Sequence, residues 1–224
     1  MMAPAPAADT RVIVFARAPE PGAAKTRLIS LLGAERAAAL QRVLIDRALA
    51  TALASGIGPV ELWCTPSAQH PLLVDCAERH GITAASQSDG DLGTRMLHAA
   101  LSALAVTPRV LIIGSDCPAL SAGDLQRAAA ALANQHDAVL VPAEDGGYVL
   151  IGLKGWDARL FSDIAWGGDQ VMAATRDRLT ALNWRWLELA SLWDVDRPAD
   201  YERLAASGLI PDLESVITAR SCIL

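Results

Sequence analysis

The sequence is poor in aromatic residues, which make up 4% of the chain, although 52% of its 224 residues are hydrophobic. Small aliphatic side chains must therefore fill most of the core. No apolar run approaches the roughly 20 residues that cross a bilayer, so we expect no membrane span. Residues 1–10 lack the basic and apolar regions of a signal peptide. We predict a disordered leader over these residues and a cytoplasmic protein.

Basic charge is also scarce, because 25 Asp and Glu outnumber 19 Lys and Arg and give a net charge of −6. Surfaces that bind nucleic acid are normally basic, so a nucleic-acid partner is not expected. The four histidines are scattered, and no C-x-x-C pair occurs among Cys64, Cys76, Cys117 and Cys222. We therefore predict reduced thiols and no zinc site.

Short apolar runs alternate with longer helical segments, and no repeat or linker interrupts them. This pattern predicts one α/β domain, a three-layer sandwich with a mostly parallel central sheet. The predicted strands cover residues 11–16, 60–64, 82–85, 109–114, 137–142 and 185–189, with a further apolar stretch at 148–153. The predicted helices cover 24–32, 34–54, 71–80, 92–105, 121–134 and 169–182, with a last helix ending near 206. We place the domain at residues 11–207 and a C-terminal tail at 208–224.

A basic loop follows the first predicted strand, at the sheet edge where open α/β proteins bind ligands. Its cations and the start of the next helix are suited to phosphate groups. A P-loop is excluded, because that motif needs glycine at the positions of Pro19 and Ala24. An ordinary loop with solvated cations is the alternative. The residues predicted to bind a nucleotide here are Ala16, Arg17, Pro19, Gly22, Lys25 and Arg27.

A second polar cluster, Gly114–Pro118, follows the most apolar strand of the chain. Mg²⁺ prefers carboxylates together with phosphate oxygens and water, so Asp116 is the first candidate for a metal ligand. A turn or helix-capping aspartate is the alternative. Cys117 has no nearby histidine in the sequence, and we interpret it as a small packing residue.

A third cluster lies between residues 142 and 148. Glu144 and Asp145 precede a glycine pair, which suggests a tight turn whose backbone approaches a ligand. A plain turn is equally compatible, since Asp-Gly is a strong turn signal.

Asp194 and Asp196 form a weaker pattern that could add a metal ligand or cap a helix. Another weak site, a helix start with the polar loop before it, gives the nucleotide-binding candidates Gln87, Asp91, Gly93 and Arg95.

Taken in order, these motifs resemble a bacterial family classed as glycosyltransferase A-like, which includes members named for arsenosugar biosynthesis. The motifs are the segments 15–28, 90–95, 114–118, 142–152 and 194–200, and the similarity spans residues 11–204. The resemblance implies a nucleotide-diphospho-sugar transferase fold of the GT-A, Rossmann-like type. It also implies that Arg17, Lys25 and Arg27 hold nucleotide phosphates. Asp116 would stand at a metal position and Asp196 near a second one.

The chain departs from this family where a Trp-Ser-Thr segment is usual, because it has Trp166-Gly167-Gly168. A hydroxyl pair that could touch the acceptor is therefore missing. The predicted acceptor-binding residues are Gly146, Gly147, Tyr148 and Trp166.

Three hypotheses for the function follow. The first is Mg²⁺- or Mn²⁺-dependent glycosyl transfer from a nucleotide sugar to a small acceptor, with Asp116, Asp145 and Glu144 as catalytic residues. The second is transfer of a nucleotidyl group from an NTP to a phosphorylated small molecule. The third is a non-catalytic nucleotide-binding module. The sequence does not fix the donor, the acceptor or the oligomeric state, and it leaves a homodimer open.

Overall fold

The structure, a computed structural model, describes residues 9–210 and Leu213. Its centre is a seven-stranded sheet with the spatial order β3-β2-β1-β4-β6-β5-β7. All neighbouring pairs are parallel except those of β6, which runs antiparallel to β4 and β5. The predicted mostly parallel sheet is confirmed. The strands are β1 (Thr10–Arg17), β2 (Val60–Thr65), β3 (Thr83–Ser86), β4 (Arg109–Gly114), β5 (Ala138–Pro142), β6 (Tyr148–Leu153) and β7 (Trp186–Glu188).

Helices cover both faces of the sheet. They are α1 (Ile29–Leu32), α2 (Ala34–Ser55), α3 (Pro71–His80), α4 (Leu92–Leu104), α5 (Ala122–Asn134), α6 (Val171–Ala181) and α7 (Pro198–Ser207), with 3-10 turns at Thr26–Leu28 and Ala158–Leu160. Successive side chains of a strand point to opposite faces. In β1, Val12 and Val14 therefore pack in the core with α2, α3 and α5, whereas Ile13 packs with α4 and α6. The predicted three-layer sandwich is confirmed.

A smaller cluster fixes the end of the described chain. Trp193, Val195 and Leu204 pack against Leu28 and Leu40, which lie in the first 3-10 turn and in α2. This packing holds the segment that carries Asp194 and Asp196 beside the loop that follows β1.

The sequence also shows why individual helices begin where they do. Ser121 accepts a hydrogen bond from the Asp124 N–H, and the Asp124 carboxylate accepts one from the Ser121 N–H, which forms a capping box. The Asp91 carboxylate accepts the Thr94 N–H at the start of α4. Pro71 occupies the first turn of α3, where a missing N–H costs nothing.

The predicted helix over residues 24–32 is wrong in its first part. Lys25 has left-handed backbone angles, φ 47° and ψ 46°, and a 3-10 turn follows it. A non-glycine residue in this conformation cannot lie inside an α-helix. The loop after β1 therefore extends to Lys25, and only Ile29–Leu32 forms one α-helical turn.

The predicted termini fall mainly outside the described residues. Of the predicted leader, only Asp9 and Thr10 are described, and Thr10 already begins β1. Of the predicted tail, residues 208–210 and Leu213 are described, and Cys222 is not. The other three cysteines are buried free thiols, as predicted. Within the described part of the chain, every helix is too short or too polar to cross a bilayer.

The packing of α2 against the sheet can be tested with two leucines of that helix. Leu49 is fully buried, whereas Leu53, one turn further along, is 41% exposed. We expect Leu49→Ala to lower the free energy of unfolding by about 2–5 kcal/mol, because it leaves a cavity in the core. Leu53→Ala, with the same change in helix propensity, should cost under about 1 kcal/mol. Urea denaturation measures both, and equal losses would contradict the described packing.

Candidate active site

The carboxyl ends of β1, β2 and β4 surround a cavity of about 620 Å³. Because β6 is antiparallel to β5, the turn between them reaches the same edge of the sheet. A neighbouring cavity of about 410 Å³ shares Arg17, Gln87 and Arg95 and extends the first into a groove. Of the residues predicted from the sequence, nine line the larger cavity: Ala16, Arg17, Lys25, Arg27, Gln87, Arg95, Asp116, Asp145 and Asp196.

Lys25 makes the central contacts of this cavity. Its Nζ donates a hydrogen bond to the Val195 carbonyl oxygen at 2.7 Å. The same nitrogen lies 2.9 Å from Asp116 Oδ1 and 3.7 Å from Asp196 Oδ1. The Lys25 side chain is only 3% exposed, whereas those of Asp116 and Asp196 are 43% and 42% exposed. Lys25 therefore combines a left-handed backbone conformation with a buried ammonium group that faces two carboxylates.

The end of β4 fixes the position of Asp116. Gln41 Nε2 donates to Ser115 Oγ at 3.2 Å, and Ser115 Oγ donates to Asp116 Oδ1 at 3.2 Å. The Asp116 carbonyl oxygen accepts the Val195 N–H at 2.9 Å. The strand end and the C-terminal segment are therefore joined through backbone and side-chain contacts.

Negative charge is concentrated beside these contacts. Burial, together with the nearby carboxylates of Asp145, Asp196 and Asp116, raises the pKa of Asp194 to about 6. Asp196 also pairs with the exposed Arg27 guanidinium. Crowded carboxylates at a partly exposed edge are favourable for a cation, because a cation relieves their mutual repulsion.

The groove beyond Arg17 has polar walls. Gln87 Nε2 donates to the Trp63 carbonyl oxygen at 2.8 Å, and Arg95 Nε donates to that of Gly90 at 3.0 Å. Ser88 lines the smaller cavity, and its buried Oγ has no hydrogen-bond partner among the described residues. Asp91 lies outside the larger cavity, where its carboxylate accepts the Thr94 N–H at 2.8 Å.

Several other predicted residues also lie outside the larger cavity, among them Glu144 and Gly93. Glu144 is exposed and forms a two-pronged ion pair with Arg203 at 2.7 and 3.2 Å. Arg203 also stacks over the Trp193 ring, 4.5 Å from its centre. The prediction that Glu144 is catalytic therefore has no support from its position. Pro19 and Gly22 belong to the loop after β1 but do not line the cavity.

The four residues predicted to bind the acceptor do not line the cavity, and two of them, Tyr148 and Trp166, pack against each other. The Tyr148 hydroxyl donates to the Met96 sulfur at 3.7 Å, and its ring meets the Trp166 ring edge-on with centroids 6.4 Å apart. Burial raises the pKa of Tyr148, so its hydroxyl stays protonated. The Trp166 ring also packs directly against the backbone of Gly93, because a Cβ at that position would lie only 2.7 Å from the ring. Gly167, one of the two glycines of the divergent segment, does line the cavity.

The turn that carries Asp145 is closely packed. The Gly147 N–H donates to Asp145 Oδ1 at 2.9 Å. Gly146 has φ 93°, and a Cβ there would lie 2.1 Å from the Asp169 carbonyl oxygen. Of this group, only the Asp145 side chain reaches the cavity, while Gly146 and Gly147 shape the turn.

A second group that could hold a metal lies between α2 and α3. Asp46, Cys76 and His80 bring one ligand atom each to within 4.8 Å of one another. The Arg79 guanidinium lies 2.9 Å from Asp46 Oδ1, a competition that Lys25 and Arg27 also present to the carboxylates at the sheet edge, so the ligand types decide between the two groups. Burial raises the pKa of Cys76 to about 12, so its thiol is protonated at neutral pH. The carboxylate cluster at the sheet edge is therefore better suited to a divalent ion.

The environment of Cys117 does not suit a nucleophile. Its side chain is buried in the core, and burial raises its pKa to about 12. The predicted packing role agrees with this environment, because the reactive form of cysteine is the thiolate.

Two polar residues that line the cavity, Thr65 and Gln41, lie outside every motif identified from the sequence. Thr65 ends β2, and Gln41 lies in the middle of α2. A signal existed for Gln41, since it is an amide in a largely apolar helical stripe and buried polar groups need partners. Thr65 stands at the carboxyl end of a predicted strand, which is the position where ligand-binding residues were expected.

The sequence also matches a protein family. A family model described as "Uncharacterized protein conserved in bacteria (DUF2064)" matches residues 48–168, which is more than half of the chain. The chain belongs to this family. The family segment includes β4 with Asp116 and the turn with Asp145. A comparison with curated proteins finds no match.

Solved structures show a similar fold. A protein from Desulfovibrio desulfuricans G20, provisionally named a nucleotide-diphospho-sugar transferase, superposes with a TM-score of 0.82, at 28% identity over 96% of each chain. A cytidylyltransferase from Leptospira borgpetersenii has a TM-score of 0.61 at 15% identity, over 94% of this chain and 93% of the other.

A third similar structure contains ligands. Glucosyl-3-phosphoglycerate synthase from Mycobacterium tuberculosis, in complex with Mn²⁺, UDP and glucosyl-3-phosphoglycerate, has a TM-score of 0.54 at 12% identity, over 96% of this chain and 82% of the other. Together these structures confirm the nucleotide-diphospho-sugar transferase fold that the sequence motifs implied.

The turn beside the cavity can be tested by adding one methyl group. We expect Gly146→Ala to lower the free energy of unfolding by about 1–3 kcal/mol, the cost of a strained backbone at a non-glycine residue. Overlap with the Asp169 backbone adds to this cost. Gly155→Ala is the matched control, because a Cβ there meets nothing within 4 Å. Thermal unfolding of both variants measures the difference, and an unchanged Gly146→Ala would refute the described turn.

Proposed function

We propose that this chain is a metal-dependent transferase that uses a nucleotide-activated donor, with glycosyl transfer from a nucleotide-diphospho-sugar to a small acceptor as its reaction. The observation that carries the proposal is the meeting of Asp116 and Asp196 with Lys25 and Arg27 in one cavity. Carboxylates and cations side by side suit a divalent ion that shares a diphosphate with basic side chains.

The residues present fit Mg²⁺ or Mn²⁺. Asp116 and Asp196 offer partly exposed carboxylate oxygens, the ligand type that hard cations prefer. Burial is the main cause of the raised pKa of Asp194, and the carboxylates of Asp145, Asp196 and Asp116 add to it; such an ion would offset their negative charge. When bound, the ion would offset the charge that develops on the leaving phosphate.

The groove suggests how a donor is oriented. Arg17 and Arg95 line both cavities and supply positive charge for the phosphates, beside the start of α4. The Ser88 hydroxyl, which has no partner among the described residues, lines only the smaller cavity, and we place the nucleoside there, beside the Gln87 amide that both cavities share.

We assign the acceptor to the side of the cavity that carries Asp145. One oxygen of this carboxylate is held by the Gly147 N–H, so its orientation is fixed. A carboxylate in this position can take the proton from an acceptor hydroxyl as a general base. Glu144 is paired with Arg203 outside the cavity, so Asp145 is preferred for this role.

A second candidate function is nucleotidyl transfer from an NTP to a phosphorylated acceptor. One of the similar structures is a cytidylyltransferase by name, and the four basic residues of the cavity would serve a triphosphate equally well. The leaving groups differ, because glycosyl transfer releases a nucleoside diphosphate and nucleotidyl transfer releases pyrophosphate.

The donor can be found with a thermal-shift screen of nucleotides and nucleotide sugars, with and without Mg²⁺ or Mn²⁺. A ligand that binds only the folded state raises its stability in proportion to RT ln(1 + [L]/Kd). We expect metal-dependent stabilisation by a nucleotide sugar, and release of a nucleoside diphosphate once an acceptor is supplied. Pyrophosphate release would favour the second function instead, and binding without turnover would leave a non-catalytic module.

Asp116 provides the sharpest mutational test. We expect Asp116→Asn to lower turnover at least about 100-fold, on the scale of lost electrostatic stabilisation of a transition state. Metal-dependent nucleotide binding should be lost with it, as isothermal titration would show. Asp177→Asn, an exposed position on α6, is the control for the same charge change. If Asp116→Asn kept both its turnover and its metal-dependent nucleotide binding, the proposed function would be wrong.

A further inference from the structure

The same cavity raises the question of how a divalent ion reaches carboxylates that already have cationic partners. Asp116 Oδ1 accepts contacts from both Lys25 Nζ and Ser115 Oγ. For Asp196, Oδ1 faces Lys25 and Oδ2 is paired with Arg27. An ion that bridges the two carboxylates needs an oxygen from each, and both Asp196 oxygens already face a cation.

We propose that Lys25 and Arg27 are resident cations that a divalent ion must displace from Asp116 and Asp196, and that a polyphosphate promotes this displacement by giving both side chains new acceptors. This inference rests on the proposed use of a nucleotide-activated donor. It adds that the divalent ion binds tightly only when the phosphates are also bound.

The burial of Lys25 supports the first part of this proposal. Its ammonium group is almost fully enclosed, and its nearest acceptors are the Val195 carbonyl and the two carboxylates. A buried ammonium that loses its carboxylate partners without replacement is costly. In the absence of another anion, Lys25 therefore opposes the entry of a second cation between Asp116 and Asp196.

The lining of the cavity supports the second part. Lys25 and Arg27 face the same space as Arg17 and Arg95, where a diphosphate would lie. Its oxygens can accept from the ammonium and the guanidinium as the carboxylates do. Lys25 and Arg27 would then exchange carboxylate partners for phosphate partners, which would leave Asp116 and Asp196 available to hold the divalent ion. Each cation would then have an anionic partner both before and after the exchange.

The test measures Mn²⁺ binding to the full-length protein without any nucleotide, by electron paramagnetic resonance or isothermal titration. We expect Lys25→Met to bind Mn²⁺ roughly tenfold more tightly than the natural protein, the order expected for removing a unit charge about 4 Å away. Lys154→Met, which changes the only other lysine of the chain, is the control and should leave Mn²⁺ affinity unchanged. Unchanged or weaker Mn²⁺ binding by Lys25→Met would overturn the proposal.

A second titration uses the preformed complex of Mn²⁺ with inorganic pyrophosphate. Here Lys25→Met should bind at least about fivefold more weakly, because the phosphates lose a cationic partner. A merely structural role of Lys25 would weaken binding in both titrations, whereas the proposal requires opposite signs. Because the first titration contains no nucleotide or phosphate, it stands even if no nucleotide donor is found.

Arg27→Met keeps the proposal falsifiable if Lys25→Met does not fold. The Arg27 side chain is 62% exposed, so its replacement leaves no buried group without a partner. We expect Arg27→Met to tighten Mn²⁺ binding by roughly two- to fivefold, less than Lys25→Met because exposed charges are screened. Circular dichroism establishes the folded state of each variant, and a folded Arg27→Met with weaker Mn²⁺ binding would contradict the exchange.

Discussion

The geometry of the cavity depends on one buried ammonium group. Lys25 joins the loop after β1 to the Val195 carbonyl and to the Asp116 carboxylate at the end of β4. The left-handed backbone at Lys25 is unfavourable for a non-glycine residue, so these distant partners must offset its cost. The segment that supplies Val195 is itself held by the packing of Trp193 against α2 and its neighbours. The candidate site therefore forms only when the three parts of the fold are assembled.

Much of the fold could be predicted because its signals are local. The unbroken apolar run of β4 is typical of a strand buried on both faces. Ser121 and Asp124 mark the start of α5 through a capping box. The location of the candidate site followed from one topological rule, since Arg17 and Asp116 stand at the carboxyl ends of neighbouring parallel strands.

The remaining features could not be predicted because they depend on contacts between distant segments. The helical pattern before Leu32 gave no sign that Lys25 would leave the helical region, since the acceptors that hold it are about 90 to 170 residues away. Glu144 and Asp145 are adjacent and chemically alike. Only the position of Arg203 shows that one faces an ion pair while the other faces the cavity. The direction of β6 also depends on its two neighbours, β4 and β5.

Because of the reversal of β6, the two sides of the cavity are built from different kinds of structure. Asp145 sits in a tight turn between two hydrogen-bonded strands, and the Gly146 carbonyl oxygen also accepts the Met172 N–H at 2.8 Å. Such a turn has few ways to move without breaking the ladder. The opposite wall is the longer loop of residues 18–25, which is not part of the sheet. A ligand in the cavity therefore lies between a turn that belongs to the sheet and a loop outside the sheet, whose Lys25 is held by its contacts with Val195 and Asp116.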